Sequence, residues 1–282
     1  MHVFDRKAEL IDHLNMERDK NHEIGLVPTM GALHKGHLSL VKKAISENDV
    51  VVVSVFVNPT QFDQKEDLEK YPRTFERDVE LLKQLDDTIV VFAPDAKDIY
   101  GEEVIAKEYN FEGLDKVMEG AFRTGHFDGV GTIVELFLTT VSPSRAYFGE
   151  KDFQQLQIIR KLVETQNLPF EIVGCPIERE PHGLAMSSRN ERLSETTRKE
   201  AGFIYKTLKT ANEKFGTESA SEIKKWVKSQ FEKNELLDLE YFEITDENTL
   251  TPMLKKQANQ KYRAFIAVYA ENVRLIDNLR LN

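Results

Sequence analysis

Apolar positions through the first two-thirds of the chain follow two alternating periods. Short runs rich in Val and Ile, at IGLVPT (24–29), VVVSVFVN (51–58), TIVVFAP (88–94), RAYFG (145–149) and FEIVGCP (170–176), predict β-strands. Between them, LSLVKKAISEN (38–48), TFERDVELLKQL (74–85) and DFQQLQIIRKLVETQ (152–166) place apolar residues at helical spacing. Strand, helix, strand, repeated, requires crossover connections and therefore a parallel sheet with helices on both faces. The near-continuous Val run at 51–57 fits a central strand buried on both sides. A doubly wound α/β domain over 1–178 is expected. Beyond it the pattern changes: helical stretches at 191–214 and 218–233 precede LDLEYFEITDE (237–247) and YRAFIAVYAENVRLIDNLRL (262–281), which read as strands joined by turns. That predicts a smaller α+β domain over 179–282 with an antiparallel sheet. The boundary falls at CPIEREP, and the cleft between the domains is the default place for a ligand.

Composition agrees with two ordinary globular domains. The chain has 282 residues, 40% of them apolar before its 14 glycines are counted. No apolar run approaches the roughly 18 residues of a membrane span; the longest, Val50 to Val57, contains a Ser. The charged N-terminus MHVFDRKAELIDH lacks the pattern of a secretory signal. One cysteine, Cys175, excludes an internal disulfide and cysteine-rich zinc modules, so a cytoplasmic chain is expected. With 38 basic against 48 acidic residues, interspersed, the net charge of −10 argues against binding long nucleic acid. A small anion needs only local donors.

The stretch VPTMGALHKGHLSLV (27–41) offers them. A strand ends, a Gly-bearing turn follows, and a helix is predicted from about His37, so first-turn N–H groups and the positive helix end face the turn. Gly31 and Gly36 let backbone approach a phosphate, and His34 and His37 flank the helix start with ring N–H groups suited to phosphate oxygens. The spacing from Gly31 to Gly36 imitates a Walker loop, but His37 and Leu38 stand where Lys and Ser or Thr belong, which excludes a P-loop kinase. Structural zinc is disfavoured, since only two of seven histidines cluster and no carboxylate sits beside them at helical spacing. A single His here would read as a cap or a surface residue; the pair in this turn favours function.

His34, Lys35, Gly36 and His37 form the HxGH signature of the nucleotidyltransferase superfamily that includes class I aminoacyl-tRNA synthetases. The longer PTMGALHKGHLSLV resembles the pantothenate synthetase family, the pantoate–β-alanine ligases that use ATP. FVNPTQF (56–62), YPRT (71–74), GHFDGV (125–130), FGEKDFQQL (148–156) and GLAMSSRN (183–190) follow in the same order. The resemblance implies a Rossmann-like ATP- and pantoate-binding domain, a C-terminal lid domain, ATP, pantoate and β-alanine as substrates, Mg2+ with the ATP, and a homodimer. It implies catalytic roles for His34, His37, Lys151 and Arg189. ATP would also touch Met30, Gly36, Gly149, Asp152, Met186, Ser187 and Ser188, with Gly149 and Asp152 on the ribose. Pantoate would be held by Asn58, Gln61, Phe62 and Gln155, under a flap carrying Tyr71. Arg77 stands where some relatives carry an acidic residue, leaving Asp78 as the candidate metal ligand.

Read by themselves, the same residues keep plainer alternatives. Asn58 and Gln61 follow a strand at the carboxyl end of the sheet, where α/β folds bind ligands, but Pro59 makes turn chemistry an equal reading. Asp152 and Lys151 open a helix, where Asp commonly caps and Lys is commonly solvated. Ser187, Ser188 and Arg189 offer two hydroxyls and a permanent cation, suited to a developing pyrophosphate, or a plain Ser-rich loop. His126 and Asp128 read as either the floor of the site or a structural turn. The expected reaction is a ligation through pantoyl adenylate, with no protein nucleophile and Cys175 in the core. The alternatives are an AMP- or CMP-transferring HxGH enzyme, a noncatalytic nucleotide-binding regulator and, least favoured, a tRNA ligase.

Overall fold

The computed structural model describes residues 1–62 and 65–282 of the chain. The chain divides into two units: Met1–Glu150 with Gln154–Pro176, and Ile177–Asn282 with Lys151–Phe153.

In the first unit, β1 (His2–Phe4), α1 (Lys7–Arg18), β2 (Ile24–Thr29), α2 (Lys35–Glu47), β3 (Val50–Val55), α3 (Lys65–Glu69), α4 (Phe75–Leu85) and β4 (Val90–Phe92) come first in chain order. They are followed by α5 (Ala96–Tyr100), α6 (Met118–Phe122), α7 (His126–Val141), β5 (Arg145–Gly149), α8 (Phe153–Thr165, whose first residue belongs to the second unit) and β6 (Glu171–Cys175). The strands make one sheet, all parallel, in the order β1-β4-β3-β2-β5-β6. The chain thus winds outward from β2 through β3 and β4, then starts again on the other side of β2 with β5. That reversal makes the carboxyl ends of β2 and β5 the switch point, where such sheets open a crevice for ligands.

The Val residues of β3 pack on both sheet faces, with Val51, Val52 and Val53 buried, as the sequence pattern predicts. The α2 helix buries Leu40, Val41 and Ala44 against that sheet. The α7 helix is apolar nearly all round and buries most of its length, including Val130, Ile133, Phe137 and Val141. Its polar stripe is narrow, limited to Asp128, Glu135 and Thr139, and the helix was not among the predicted elements; nor were β1 and α1.

The second unit holds α9 (Glu195–Glu200), α10 (Gly202–Phe215) and α11 (Ala220–Phe231), then β7 (Asp238–Asp246), β8 (Tyr262–Ala270) and β9 (Val273–Arg280). The last three form an antiparallel sheet in the order β7-β8-β9. Ile204, Leu208, Ile223 and Val227 from the helices share a core with Phe242, Ile266 and Val268 from the strands. The α/β plus α+β architecture is the one the sequence pattern predicts. Among the described residues no helix is long and apolar enough to cross a membrane.

Candidate active site

The turn after β2 is built around two left-handed residues, Gly31 at φ 75° and Ala32 at φ 48°. Glycine adopts that region freely, whereas alanine needs compensation. Asp78 of α4 supplies it: Oδ2 accepts the Ala32 N–H and Oδ1 the Leu33 N–H, both at 2.8 Å, and the Thr74 hydroxyl donates to Oδ1 at 3.1 Å. The carboxylate is completely buried. Asp78 was expected as a metal ligand, and its surroundings do not fit that role: each oxygen is already engaged by a donor and none is exposed. No group of three His, Cys, Asp or Glu side chains among the described residues is arranged to hold a metal ion. Asp78 is a clamp on the turn.

That clamp sets the start of α2. The helix begins at Lys35, two residues before the predicted start, because His34 serves as its N-cap. His34 Nδ1 accepts the Gly36 N–H at 3.1 Å, and His37 Nδ1 accepts the His34 N–H at 3.4 Å. The two rings lie stacked, 4.0 Å between centroids. A neutral imidazole that accepts at Nδ1 carries its proton on Nε2, so the cap fixes the tautomer of both histidines. The first-turn Gly36 N–H, expected to await an anion, is used by the cap. The proton of each neutral ring therefore sits on Nε2.

The second cluster follows β3. Asn58 is 1% exposed and Gln61 9%, on a 3-10 turn from Pro59 to Gln61. Asn58 Nδ2 donates to Gln61 Oε1 and to the Gly129 carbonyl, both at 3.1 Å. Gln61 Nε2 donates to Met30 Sδ at 2.9 Å, which joins this cluster to the turn after β2. Helix α7 lies directly on the turn at Gly129, where a Cβ would stand 2.2 Å from the Thr60 carbonyl oxygen. His126 Nδ1 meets the Gln61 carbonyl oxygen at 2.8 Å, and Asp128 Oδ1 accepts the Tyr109 N–H at 3.1 Å. Both residues of GHFDGV thus hold backbone. Phe62 is half-buried, its ring edge-on to buried Tyr71 with centroids 5.7 Å apart. Gln155, inside α8, is half-buried, and its side-chain amide makes no hydrogen bond among the described residues. Its neighbour Gln154 is buried and bound to the carbonyls of Leu114 and Val117.

In the second unit, Lys151 and Asp152 form a 3-10 turn after half-buried Gly149, with Lys151 Nζ 3.5 Å from Asp152 Oδ1. Asn278 of β9 donates to the Lys151 carbonyl at 2.9 Å, and the Arg263 guanidinium of β8 lies over the Phe153 ring. Met186, Ser187, Ser188 and Arg189 are half-buried; Ser187 Oγ accepts the Arg189 N–H at 3.3 Å and caps the turn Ser188–Arg192. Asn190 ties that turn to Glu180 at 2.8 Å. Burial pushes the Cys175 thiol up to about 11, which leaves it protonated and non-nucleophilic near neutrality. Sequence reasoning did not find the Asp78 clamp, the Asn278 hold on Lys151, or the hydroxyls of Thr60 and Tyr100 beside Asn58.

A parallel α/β sheet whose first switch-point loop carries an HxGH helix start defines an enzyme of the HxGH class. The chain belongs to the pantoate–β-alanine ligase family, whose model matches residues 2–280. It is 57% identical, over the full length of both chains, to the pantothenate synthetase of Christiangramia forsetii, and 53% identical to that of Flavobacterium psychrophilum, again over the full length of both. Among solved structures, pantothenate synthetase from Thermus thermophilus superposes with a TM-score of 0.91 at 40% identity, covering 100% of this chain and 99% of that one. The pantoate–β-alanine ligase of Francisella tularensis, complexed with β,γ-ATP and β-alanine, superposes with a TM-score of 0.80 at 37% identity, covering 100% and 98%.

Proposed function

We propose that the protein condenses pantoate with β-alanine in two steps: pantoate's carboxylate attacks the α-phosphorus of ATP to give bound pantoyl adenylate and pyrophosphate, and the β-alanine amine then attacks the acyl carbon and releases AMP. The observation that carries this reading is the pair of capped histidines, whose fixed Nε2–H groups suit an oxygen that gains charge as the α-phosphorus is attacked. In this reading Lys151 and Arg189 neutralise the leaving pyrophosphate, with Ser187 and Ser188 beside them, while Gly149 and Asp152 hold the ribose and Met30, Gly36 and Met186 line the nucleotide. Asn58, Gln61, Phe62 and Gln155 hold pantoate, and the half-buried Gln155 amide is suited to donate to its carboxylate. Mg2+ is expected to arrive on the ATP phosphates; the buried, fully engaged Asp78 carboxylate does not fit it. A homodimer in the cytoplasm completes the proposal, supported by the family.

The test is isotope exchange without β-alanine. Labelled pyrophosphate should enter ATP only when pantoate is present, and Gln155→Ala should raise the pantoate requirement while leaving ATP affinity by calorimetry unchanged. Exchange independent of pantoate would favour a nucleotide-transferring enzyme instead.

A further inference from the structure

The turn after β3 contains a relay of hydrogen bonds. Tyr100, the last residue of α5, donates its hydroxyl to Asn58 Oδ1 at 2.5 Å. Thr60 Oγ1 lies 3.1 Å from the same oxygen and 3.0 Å from the Tyr100 hydroxyl. With its oxygen end engaged, the Asn58 amide must turn its Nδ2 the other way, where it donates to Gln61 Oε1 and the Gly129 carbonyl. The Gln61 oxygen is then engaged in turn, and Nε2 is the end left to present, 2.9 Å from Met30 Sδ among the described residues. A primary amide has one accepting and one donating end, so each link dictates the next. Burial raises the Tyr100 hydroxyl above its ordinary range, which keeps it a donor through the neutral and mildly alkaline range.

We propose that Tyr100 is a positioning residue for the acid substrate: through Asn58 it orients the Gln61 amide so that the N–H end, not the oxygen, meets pantoate. A carboxylate only accepts, so the opposite orientation would set two oxygens against each other. Tyr100 acts through Asn58 and touches no reacting atom itself. The inference rests on the reading that Gln61 binds pantoate.

The test is a double-mutant cycle on Tyr100→Phe and Gln61→Ala, with the pantoate KM, kcat, ATP affinity and thermal melt measured for each variant. Tyr100→Phe should raise the pantoate KM about 5–10-fold, the scale of one lost neutral hydrogen bond, with kcat and ATP affinity within about twofold of the parent. In the Gln61→Ala background it should add less than about twofold, since no amide remains to orient. Thr60→Val, which removes the second hydroxyl from the same oxygen, should shift the pantoate KM in the same direction and supplies the readout if Tyr100→Phe lowers the melt. An unchanged pantoate KM in Gln61→Ala would overturn the substrate assignment. A raised KM in Gln61→Ala with none in Tyr100→Phe, or an equal Tyr100→Phe effect in both backgrounds, would overturn the relay alone.

Discussion

Replacing Asp78 with Asn separates a backbone clamp from a metal ligand. The side chain is isosteric and completely buried, so the change is one of bonding. Asp78 accepts two backbone N–H groups, one on each oxygen at 2.8 Å, and Asn can accept only one. The other N–H is left facing an amide NH2, which costs about 1–3 kcal/mol for a buried donor without an acceptor, and the surviving bond loses its charge assistance, about another 1 kcal/mol. A total of roughly 2–4 kcal/mol corresponds to a fall in melting temperature of roughly 4–16 °C for a unit of this size. The turn it releases contains left-handed Ala32 and leads directly into the His34 cap, so ATP affinity should fall at least about tenfold with it. Differential scanning fluorimetry and calorimetry with ATP, over a series of Mg2+ concentrations, read both effects. A melt within about 1 °C of the parent, with the rate restored by excess Mg2+, would refute the clamp and return Asp78 to the metal.

His34→Ala and His37→Ala should each lower turnover at least about a hundredfold, and His34→Ala should also lose about 1 kcal/mol of stability with its cap; near-normal turnover in both would remove them from the chemistry. Gly129→Ala puts a Cβ 2.2 Å from the Thr60 carbonyl oxygen and 2.5 Å from its carbon, so the Asn58–Gln61 turn must move. A stability loss of about 1–3 kcal/mol and a pantoate KM raised about fivefold or more are expected, and a parental KM with an unchanged melt would contradict that packing. Cys175 is held neutral by burial, with its folded value pushed up to about 11 from an ordinary 9.0. Its contribution to stability should therefore be complete below about pH 9 and fall as pH rises toward 11, and native protein should resist iodoacetamide at pH 8. Stoichiometric native labelling there would show that the thiol is accessible.

Elements that stand alone were the most legible in the sequence. The strands 24–29 and 145–149 form over the residues their β-branched and apolar runs mark, and the change of texture after 178 corresponds to the antiparallel sheet β7-β8-β9. Helix α7 was not legible, because apolar residues cover most of its circumference and leave only a narrow polar stripe at Asp128, Glu135 and Thr139. The start of α2 was misplaced because histidine is not an ordinary N-cap, and only the folded turn reveals that its Nδ1 performs the capping. The HxGH pair itself was legible, since a local motif needs no tertiary information. What holds it was not: Asp78 reaches Ala32 across 46 residues, and Tyr100 reaches Asn58 across 42. Nothing in local spacing distinguishes a carboxylate that binds backbone from one that binds metal.

Attack of a carboxylate on the α-phosphorus is tested most directly by the fate of one oxygen. Pantoate labelled with 18O in its carboxylate is turned over with ATP and β-alanine, and the nucleotide product is analysed by mass spectrometry. In the adenylate route one carboxylate oxygen becomes the bridge to phosphorus and departs with it when the amine attacks the acyl carbon. AMP should carry one atom of 18O for each pantothenate formed. ADP as the nucleotide product, or AMP without label, would contradict it.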